Sequence, residues 1–214
     1  MDEIVETNIA LKKNLKLIEN EEYISIDTEF IRDNTYFSKL CLIQVASKNH
    51  SFIIDPLKED VKLDSLRKIL NKDTIIKIFH SGRQDMEIFY HLFGELPKPI
   101  YDTQIAAMVC GFGDQVSYEN LVNTLLNIRI DKSSRVSNWS FRPLTEKQIK
   151  YALSDVTHLI HIYEKLKIQI SNGNRSLWIE DEMKSLAEIE NYKINPSEAW
   201  MKIKIKSTKR EYLN

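Results

Sequence analysis

Two acidic side chains stand at the end of an apolar segment near the start of the chain. In "EEYISIDTEF", Asp27 and Glu29 follow the run "YISI", a pattern that predicts a β-strand. Because side chains alternate between the two faces of a strand, Asp27 and Glu29 share one face and Thr28 occupies the other. Carboxylates this close repel each other unless they share a proton or bind a divalent cation. The segment alone is equally compatible with two solvated acids at a strand edge. Because Thr28 faces away from both acids, we expect it to tolerate a small substitution better than Asp27 or Glu29.

Three further candidates stand on predicted helices much later in the chain. Asp85 falls in the first turn of a helix that follows a buried strand, where a carboxylate also interacts favourably with the helix dipole. In "YALSD", Tyr151 and Asp155 are four residues apart, which places the phenol and the carboxylate on one helix face. Taken alone, each feature favours a structural role: a dipole interaction for Asp85 and a surface hydrogen bond for the pair.

The elements that must position these residues are predicted from the hydrophobic pattern. Three short strands near the start suit an antiparallel meander, and strands then alternate with helices before the chain becomes helical. This order predicts an α/β domain with a mixed sheet flanked by helices. The predicted strands cover 21–30, 39–47, 50–56, 74–80 and 99–102, and the main predicted helices cover 59–71, 146–170 and 175–190.

Several polar residues have the spacing of helix caps. Ser81 with Gln84, and Thr145 with Gln148, fit the capping-box pattern at the start of two helices. Ser117 and Asp102 are candidate single N-caps. If Ser81 caps its helix, Asp85 lies in the first turn, directly after the strand at 74–80.

Composition restricts the classes of partner. The 214 residues carry 30 basic and 31 acidic side chains, so the net charge of −1 gives no overall basic footprint for nucleic acid. A polyanion would have to be held by local groups or by metal.

Cys41 and Cys110 lie in apolar runs and are expected to be free thiols in a reducing compartment. With no secretory signal and no apolar run of membrane-spanning length, we expect a cytoplasmic protein with no membrane partner.

Together the candidate residues form three ordered motifs. These are "DTEF" at 27–30, "HSGRQDMEIF" with Asp85, and "YALSD" at 151–155. In this order they resemble the ribonuclease D family, within the DEDD superfamily of 3′-5′ exonucleases, in the subgroup whose third motif contains Tyr. The intervening segments "TYFSKLCLIQVA" and "DKSSRVSNWSFRPLTEKQIK" are similar as well, so the resemblance covers about residues 20–170.

The resemblance implies a ribonuclease H-like fold and a site with two divalent cations, Mg²⁺ or Mn²⁺. Such ions take oxygen ligands. By analogy with the family, Asp27 would bridge both ions, Glu29 and Asp155 would complete the first, and Asp85 would support the second. Tyr151 would orient the attacking water.

The implied activity is hydrolysis of the last phosphodiester of an unpaired RNA 3′ end, which releases nucleoside 5′-monophosphates. Precursors of tRNA or other stable RNAs are the expected substrates. Phe30 and His80 each have a structural alternative, in core packing and in a structural hydrogen bond. Trp139, with Arg135 and Arg142 nearby, could line the substrate path or anchor a loop as a buried residue. The candidate substrate contacts are Thr28, Phe30, His80, Arg83 and Trp139.

Two other functions fit the same motifs. One is a single-stranded DNA 3′-5′ exonuclease of proofreading or Werner type, and the other is a catalytically silent RNA-binding module. We expect one exonuclease domain over 1–190, with its core at about 20–170, followed by a basic C-terminal tail at 191–214 and no HRDC domain. The preference for RNA or DNA and the oligomeric state stay open at this stage.

Overall fold

A mixed sheet of six strands forms the centre of the computed structural model, which describes residues 4–32, 36–131 and 137–193. The strand order is β1-β4-β3-β2-β5-β6. The strands β2, β3 and β4 pair antiparallel as a meander, whereas β1 with β4, β2 with β5, and β5 with β6 pair parallel. The predicted mixed sheet is therefore confirmed. The strands are β1 (Ile4–Val5), β2 (Tyr23–Ile31), β3 (Lys39–Ala46), β4 (Ser51–Ile54), β5 (Ile76–Phe79) and β6 (Ile100–Asp102).

Helices cover both faces of this sheet. One face packs against the first three helices through residues such as Leu11, Leu66 and Met86, and the other packs against α6 through Ala152 and Leu159. Because both faces are covered, β3 is buried along nearly its whole length instead of alternating between buried and exposed positions. The helices are α1 (Asn8–Ile18), α2 (Asp64–Leu70), α3 (Arg83–Phe93), α4 (Thr103–Val109), α5 (Tyr118–Leu126), α6 (Glu146–Asn172) and α7 (Ser176–Leu186).

Most of the predicted helix caps are present. Thr145 and Gln148 form the reciprocal capping box that begins α6. Ser117 accepts a hydrogen bond from the amide of Asn120 at the start of α5, and Asp102 caps α4. These caps supply acceptors for amides that have no partner inside the helix, and so fix where α4, α5 and α6 begin.

The predicted capping box of Ser81 and Gln84 is wrong. Ser81 has a left-handed backbone with φ of 57°, and the N-cap of α3 is Gly82, without any side-chain cap. The acceptor comes from another strand end, because the Asp102 carboxylate accepts hydrogen bonds from the amides of Ser81 and Gly82 at 3.0 and 2.7 Å. Asp102 thus ties the start of α3 to the start of α4.

Arg142 anchors the segment that leads into α6. Its guanidinium donates to both carboxylate oxygens of buried Asp55, at 2.6 and 2.8 Å. It also donates to the carbonyl oxygens of Trp139, Phe141 and Cys41, at 2.8, 2.8 and 2.9 Å. This contact set holds the start of α6 against the sheet, and it assigns Arg142 a structural role instead of a place on the substrate path. Arg135 and the tail at 194–214 lie outside the described residues.

No helix in the described ranges is both long enough and apolar enough to cross a membrane. Cys41 and Cys110 are free thiols, as predicted.

Candidate active site

Three carboxylates converge where the acidic end of β2 meets α6. Asp27 and Glu29 come from one face of β2, and Asp155 comes from the helix that packs on that face. One carboxylate oxygen from each residue lies within 4.8 Å of the other two. The period of the strand therefore brings Asp27 and Glu29 together as predicted, and α6 adds the third acid from far along the chain.

A β-bulge adjoins this cluster. Pairing between β2 and β3 shifts between Glu29 and Phe30, which face Leu42 and Leu40, so Cys41 has no direct partner. Arg142 donates to the carbonyl oxygen of Cys41 across 2.9 Å. Bulges bend a strand and change the direction of nearby side chains. The Arg142 contact set therefore stabilises the irregularity beside Glu29.

The fourth acid contacts β2 through Thr28. Asp85, in the first turn of α3, is buried and accepts a hydrogen bond of 2.5 Å from the hydroxyl of Thr28. Thr28 itself is only 6% exposed. The tolerance of Thr28 to a small substitution, relative to Asp27 and Glu29, stays a prediction, and the hydrogen bond to Asp85 indicates that such a substitution has to keep the hydroxyl.

Burial makes negative charge unfavourable throughout this site. It raises the pKa of Asp27 to about 6 and is the main cause of the raised pKa of Glu29 and Asp85. The neighbouring carboxylates Asp27, Asp155 and Asp85 raise the pKa of Glu29 further. A cation relieves such a cluster, and oxygen donors of this kind suit Mg²⁺ and Mn²⁺. The residues present therefore fit a site for divalent cations.

Tyr151 borders the cluster on α6. Burial, followed by the charges of Asp155, Glu29 and Asp27, raises the pKa of its phenol well above the usual range. The phenol also hydrogen-bonds to Asp155. Tyr151 is therefore neutral near pH 7, so it can orient a bound group by hydrogen bonding but cannot serve as an anionic base.

Tyr118 is a site residue that the sequence patterns did not predict. Its buried hydroxyl donates to the carbonyl oxygens of Ser154 and Asp155, at 3.0 and 2.6 Å. This contact fixes the turn of α6 that carries Asp155. An aromatic residue in an amphipathic helix such as α5 is typical of core packing, so nothing in the local sequence distinguishes Tyr118 from a core residue.

Three of the carboxylates, those of Asp27, Glu29 and Asp155, line an open cleft of about 290 Å³. Acidic, phenolic and imidazole groups face one another across it, so the cleft combines possible cation ligands with hydrogen-bond donors. Its lining residues are Asp27, Thr28, Glu29, His80, Tyr118, Tyr151, Asp155 and Leu159. Of the predicted substrate contacts, Thr28 and His80 are thus in the cleft wall.

His80 is held by Thr103 at the end of β5. The Thr103 hydroxyl donates to the carbonyl oxygen of Phe79 at 3.1 Å, so its oxygen accepts from Nδ1 of His80 at 2.9 Å. Burial lowers the pKa of the imidazole, which keeps it neutral. Its other ring nitrogen, Nε2, is buried as well. His80 therefore combines a structural hydrogen bond with a position in the cleft wall.

The remaining predicted substrate contacts lie elsewhere. Trp139 is 2% exposed and packs against Tyr151, with ring centroids 6.1 Å apart. Of the two predicted alternatives, the buried loop anchor therefore fits Trp139, and a stacking contact with substrate does not. Phe30 packs partly buried against the main core. Arg83 is exposed at the start of α3. Within the described chain, neither Phe30 nor Arg83 lines the cleft.

Comparison with known proteins agrees with this architecture. A family model described as 3′-5′ exonuclease matches residues 3–171. A ribonuclease D of Bartonella henselae is 43% identical over 98% of this chain and 52% of its own length. The resemblance to ribonuclease D deduced from the motifs is therefore confirmed.

Solved structures agree as well. The crystal structure of Escherichia coli RNase D, described as an exoribonuclease involved in structured RNA processing, aligns with a TM-score of 0.88 at 33% identity, over 94% of this chain and 54% of that one. Brucella melitensis NrnC with bound Mg²⁺ aligns with a TM-score of 0.74 at 26% identity, over 92% and 94% of the two chains. The predicted ribonuclease H-like fold is confirmed by the match to RNase D.

The chain spans about half the length of the two ribonuclease D proteins, at 52% and 54%. The family model, by contrast, covers most of the chain and includes Asp27, Asp85 and Asp155 within the matched residues. The chain belongs to the 3′-5′ exonuclease family.

Proposed function

We propose that this chain hydrolyses the terminal phosphodiester of an unpaired RNA strand from the 3′ end and releases nucleoside 5′-monophosphates. Two divalent cations, Mg²⁺ or Mn²⁺, would assist this hydrolysis. The observation that carries the proposal is the convergence of Asp27, Glu29 and Asp155 within 4.8 Å of one another at the bottom of a cleft bordered by Tyr151.

The four carboxylates would bind the two cations as two overlapping sets of ligands. Asp27 is close to the other acids, since its charge raises the pKa of both Glu29 and Asp85. Asp27 would therefore be shared by both ions, with Glu29 and Asp155 at one and Asp85 at the other. When bound, two such cations stabilise the attacking and leaving oxygens of an in-line displacement.

Tyr151 and Tyr118 would contribute by positioning. The neutral phenol of Tyr151 can hydrogen-bond to the attacking water beside Asp155. Tyr118 fixes the backbone that carries Asp155 through its contact of 2.6 Å. Correct placement of the reacting groups lowers the barrier of a reaction substantially. Both tyrosines would contribute to catalysis in this way.

RNA is the favoured polymer because the similar proteins described above act on it by name. The relatives are ribonuclease D proteins, and the Escherichia coli protein is described as an exoribonuclease. Precursors of tRNA and other stable RNAs are our proposed substrates. To place its last phosphate in the cleft, a strand needs an unpaired 3′ end. The bases of a single strand meet this condition because no partner strand holds them.

A degradation assay would test this function directly. RNA and DNA of one sequence, labelled at the 5′ end, would be incubated with Mg²⁺, with Mn²⁺ or with EDTA. We expect a ladder of RNA products shortened one nucleotide at a time, with mononucleotides released, in either metal and none in EDTA. Asp27→Asn should abolish the ladder.

The matched control is Asp73→Asn, which removes an exposed carboxylate before β5, and it should retain activity. Activity that survives both EDTA and Asp27→Asn would exclude the two-cation mechanism. Preferential degradation of DNA would support the proofreading or Werner type of exonuclease instead. RNA binding without mononucleotide release would support a silent binding module.

We further propose that residues 1–190 form one exonuclease domain and that the protein acts in the cytoplasm. The free thiols Cys41 and Cys110 suit a reducing compartment.

A further inference from the structure

A second hollow, of about 260 Å³, adjoins the cleft at Tyr151. It lies between the first half of α6 and the segment that follows α5. Within α6, Lys147, Lys150 and Ser154 follow one another at intervals of three and four residues, so they line one helix face. We call this surface the cationic hollow, and its lining residues are Arg129, Ile130, Asp131, Lys147, Lys150, Tyr151, Ser154 and His158.

Charge in this hollow is opposite to that in the cleft. Arg129, Lys147 and Lys150 are exposed, and in the described part of the chain none of the three has a hydrogen bond or ion pair. Asp131 is the one acid that lines it among the described residues, and it has a partner. In a chain with a net charge of −1, this is a local concentration of cations beside an acidic site.

A third hollow, of about 440 Å³, offers a different exit from the cleft. It shares His80, Tyr118, Tyr151 and Asp155 with the cleft. Of the other described residues that line it, Glu119 is charged and the rest are polar or apolar. No lysine or arginine from the described ranges lines it. Ile130 and Tyr151 line both the second and the third hollow, so the two exits lie on either side of these residues.

A substrate strand places different chemistry on the two sides of its reacting bond. On the 3′ side of the reacting phosphate there is only the terminal sugar and base, which are neutral. On the 5′ side the strand continues with one phosphate per nucleotide. Lysine and arginine bind phosphates through charge and through release of counterions, without requiring a particular base. The third hollow, which no described lysine or arginine lines, therefore suits the terminal nucleoside, and the cationic hollow suits the continuing backbone.

We propose that Lys147, Lys150 and Arg129 bind the phosphates that lie upstream of the terminal nucleotide, and so set the preference of the site for longer strands over dinucleotides. This inference rests on the proposed exonuclease function. It adds a binding surface for the strand, separate from the carboxylates that would perform hydrolysis. The cations are exposed and flexible, so they would act on substrate affinity and not on the chemical step.

Steady-state kinetics on two RNA substrates would test the inference. One is a ten-nucleotide strand, and the other is a dinucleotide without a 5′ phosphate, which has no phosphate upstream of the reacting bond. In Lys147→Gln/Lys150→Gln we expect KM for the longer strand to rise roughly five- to tenfold, as for two exposed ion pairs. Its kcat should stay within about twofold, and the dinucleotide KM should not change.

Salt dependence gives an independent readout. Each phosphate contact to a single strand contributes about 0.7 to the slope of log affinity against log salt concentration. Loss of two contacts should therefore make the slope of log kcat/KM for the longer strand less steep by about 1.4. The matched control is Lys12→Gln/Lys13→Gln, which removes two exposed charges from α1 and should leave both KM and the slope unchanged.

An unchanged KM for the longer strand, or an equal rise for both substrates, would overturn the proposal. If the wild-type protein cleaves neither substrate, the exonuclease proposal fails, and binding of the labelled ten-nucleotide strand, measured by fluorescence anisotropy, decides on the hollow. Weaker binding by the Lys147→Gln/Lys150→Gln protein would then support the hollow as a phosphate-binding surface. Equal binding by variant and wild type would reject it.

Discussion

Thr28 donates its hydroxyl hydrogen to the Asp85 carboxylate across 2.5 Å, and this contact links the two faces of β2 at the candidate site. Asp27 and Glu29, on either side of Thr28 in sequence, project into the cleft, while the Thr28 side chain contacts α3. A single stretch of strand thus holds two of the acids directly and a third through a hydrogen bond.

Thr28→Val should weaken the metal response of the enzyme. The hydroxyl lowers the pKa of Asp85, so its loss makes the carboxyl harder to ionise and less able to serve a cation. We expect the Mg²⁺ concentration for half-maximal activity to rise about tenfold, the lower end of the usual effect of a residue that supports a metal ligand. Thr28→Ser keeps the hydroxyl and should respond like wild type. Equal Mg²⁺ requirements in Val and Ser variants would contradict the role of the hydrogen bond.

Stability should depend on pH and Mg²⁺ together. The pKa of Asp27 is raised to about 6 in the folded chain, above the value of about 4 expected when unfolded, and the pKa values of Glu29 and Asp85 are raised as well. A raised pKa means that the folded state binds more protons, so without cations stability falls as pH rises through about 4 to 6 and beyond.

Bound Mg²⁺ should offset this loss, because it compensates the ionised carboxylates. In thermal unfolding, the rise in Tm on replacing EDTA with Mg²⁺ should be about 3–6 °C larger at pH 8 than at pH 5.5. Asp27→Asn should reduce this difference. An equal rise in Tm at both pH values would show that the carboxylates do not control stability in this way.

Tyr151→Phe should separate catalysis from metal binding. The substitution removes the neutral phenol that would orient water, yet leaves all four carboxylates in place. We expect kcat to fall at least a hundredfold, the scale of a group that positions a reacting atom, with little change in the Mg²⁺ dependence of Tm. Wild-type turnover in this variant would remove Tyr151 from the mechanism.

Tyr118→Phe tests a residue that acts through Asp155. Removing its hydroxyl breaks the contacts to the carbonyl oxygens of Ser154 and Asp155, each worth on the order of 1 kcal/mol, and should lower kcat roughly fivefold. Tyr23→Phe is the matched control, because it loses a tyrosine hydrogen bond of 2.6 Å, to Glu164 outside the cleft. Similar losses of kcat in both variants would indicate a general effect of stability instead of positioning.

Arg142→Lys should destabilise the fold even though it keeps the charge. The guanidinium contacts both oxygens of Asp55, whose side chain is 1% exposed, and lysine cannot reproduce this fork. We expect the free energy of unfolding to fall by about 2–4 kcal/mol in urea denaturation, near the cost of disrupting a buried ion pair. Arg67→Lys changes an exposed pair with Glu95 and should have little effect. A similar effect of both substitutions would contradict the special role of Arg142.

The site residues that follow from strand and helix periods could be predicted from the sequence. Asp27 and Glu29 lie on one face because side chains alternate along a strand, and Tyr151 and Asp155 share a face because a helix turns once in 3.6 residues. The capping box of Thr145 and Gln148 was predictable for the same reason, since both partners lie within one turn.

Features that depend on contacts between distant segments could not be predicted in this way. Ser81 has the sequence context of a cap, but Asp102 from another strand supplies the acceptor instead. The hydrogen bond from Thr28 to Asp85 joins residues 57 positions apart, and that from Tyr118 to Asp155 joins residues 37 positions apart. Local patterns contain no signal for pairings over such separations.

The pairing partner of β2 changes along the length of the strand. Tyr23, Ile24 and Ser25 pair with β5, while β3 pairs with the strand from Ser25 to Ile31, so the acidic end extends beyond β5 with a neighbour on one side. The start of β2 thus pairs with β5 alone, Ser25 pairs with both β5 and β3, and the acidic end pairs with β3 alone. Asp27 and Glu29 therefore both stand on the part of β2 whose other edge is not paired with β5.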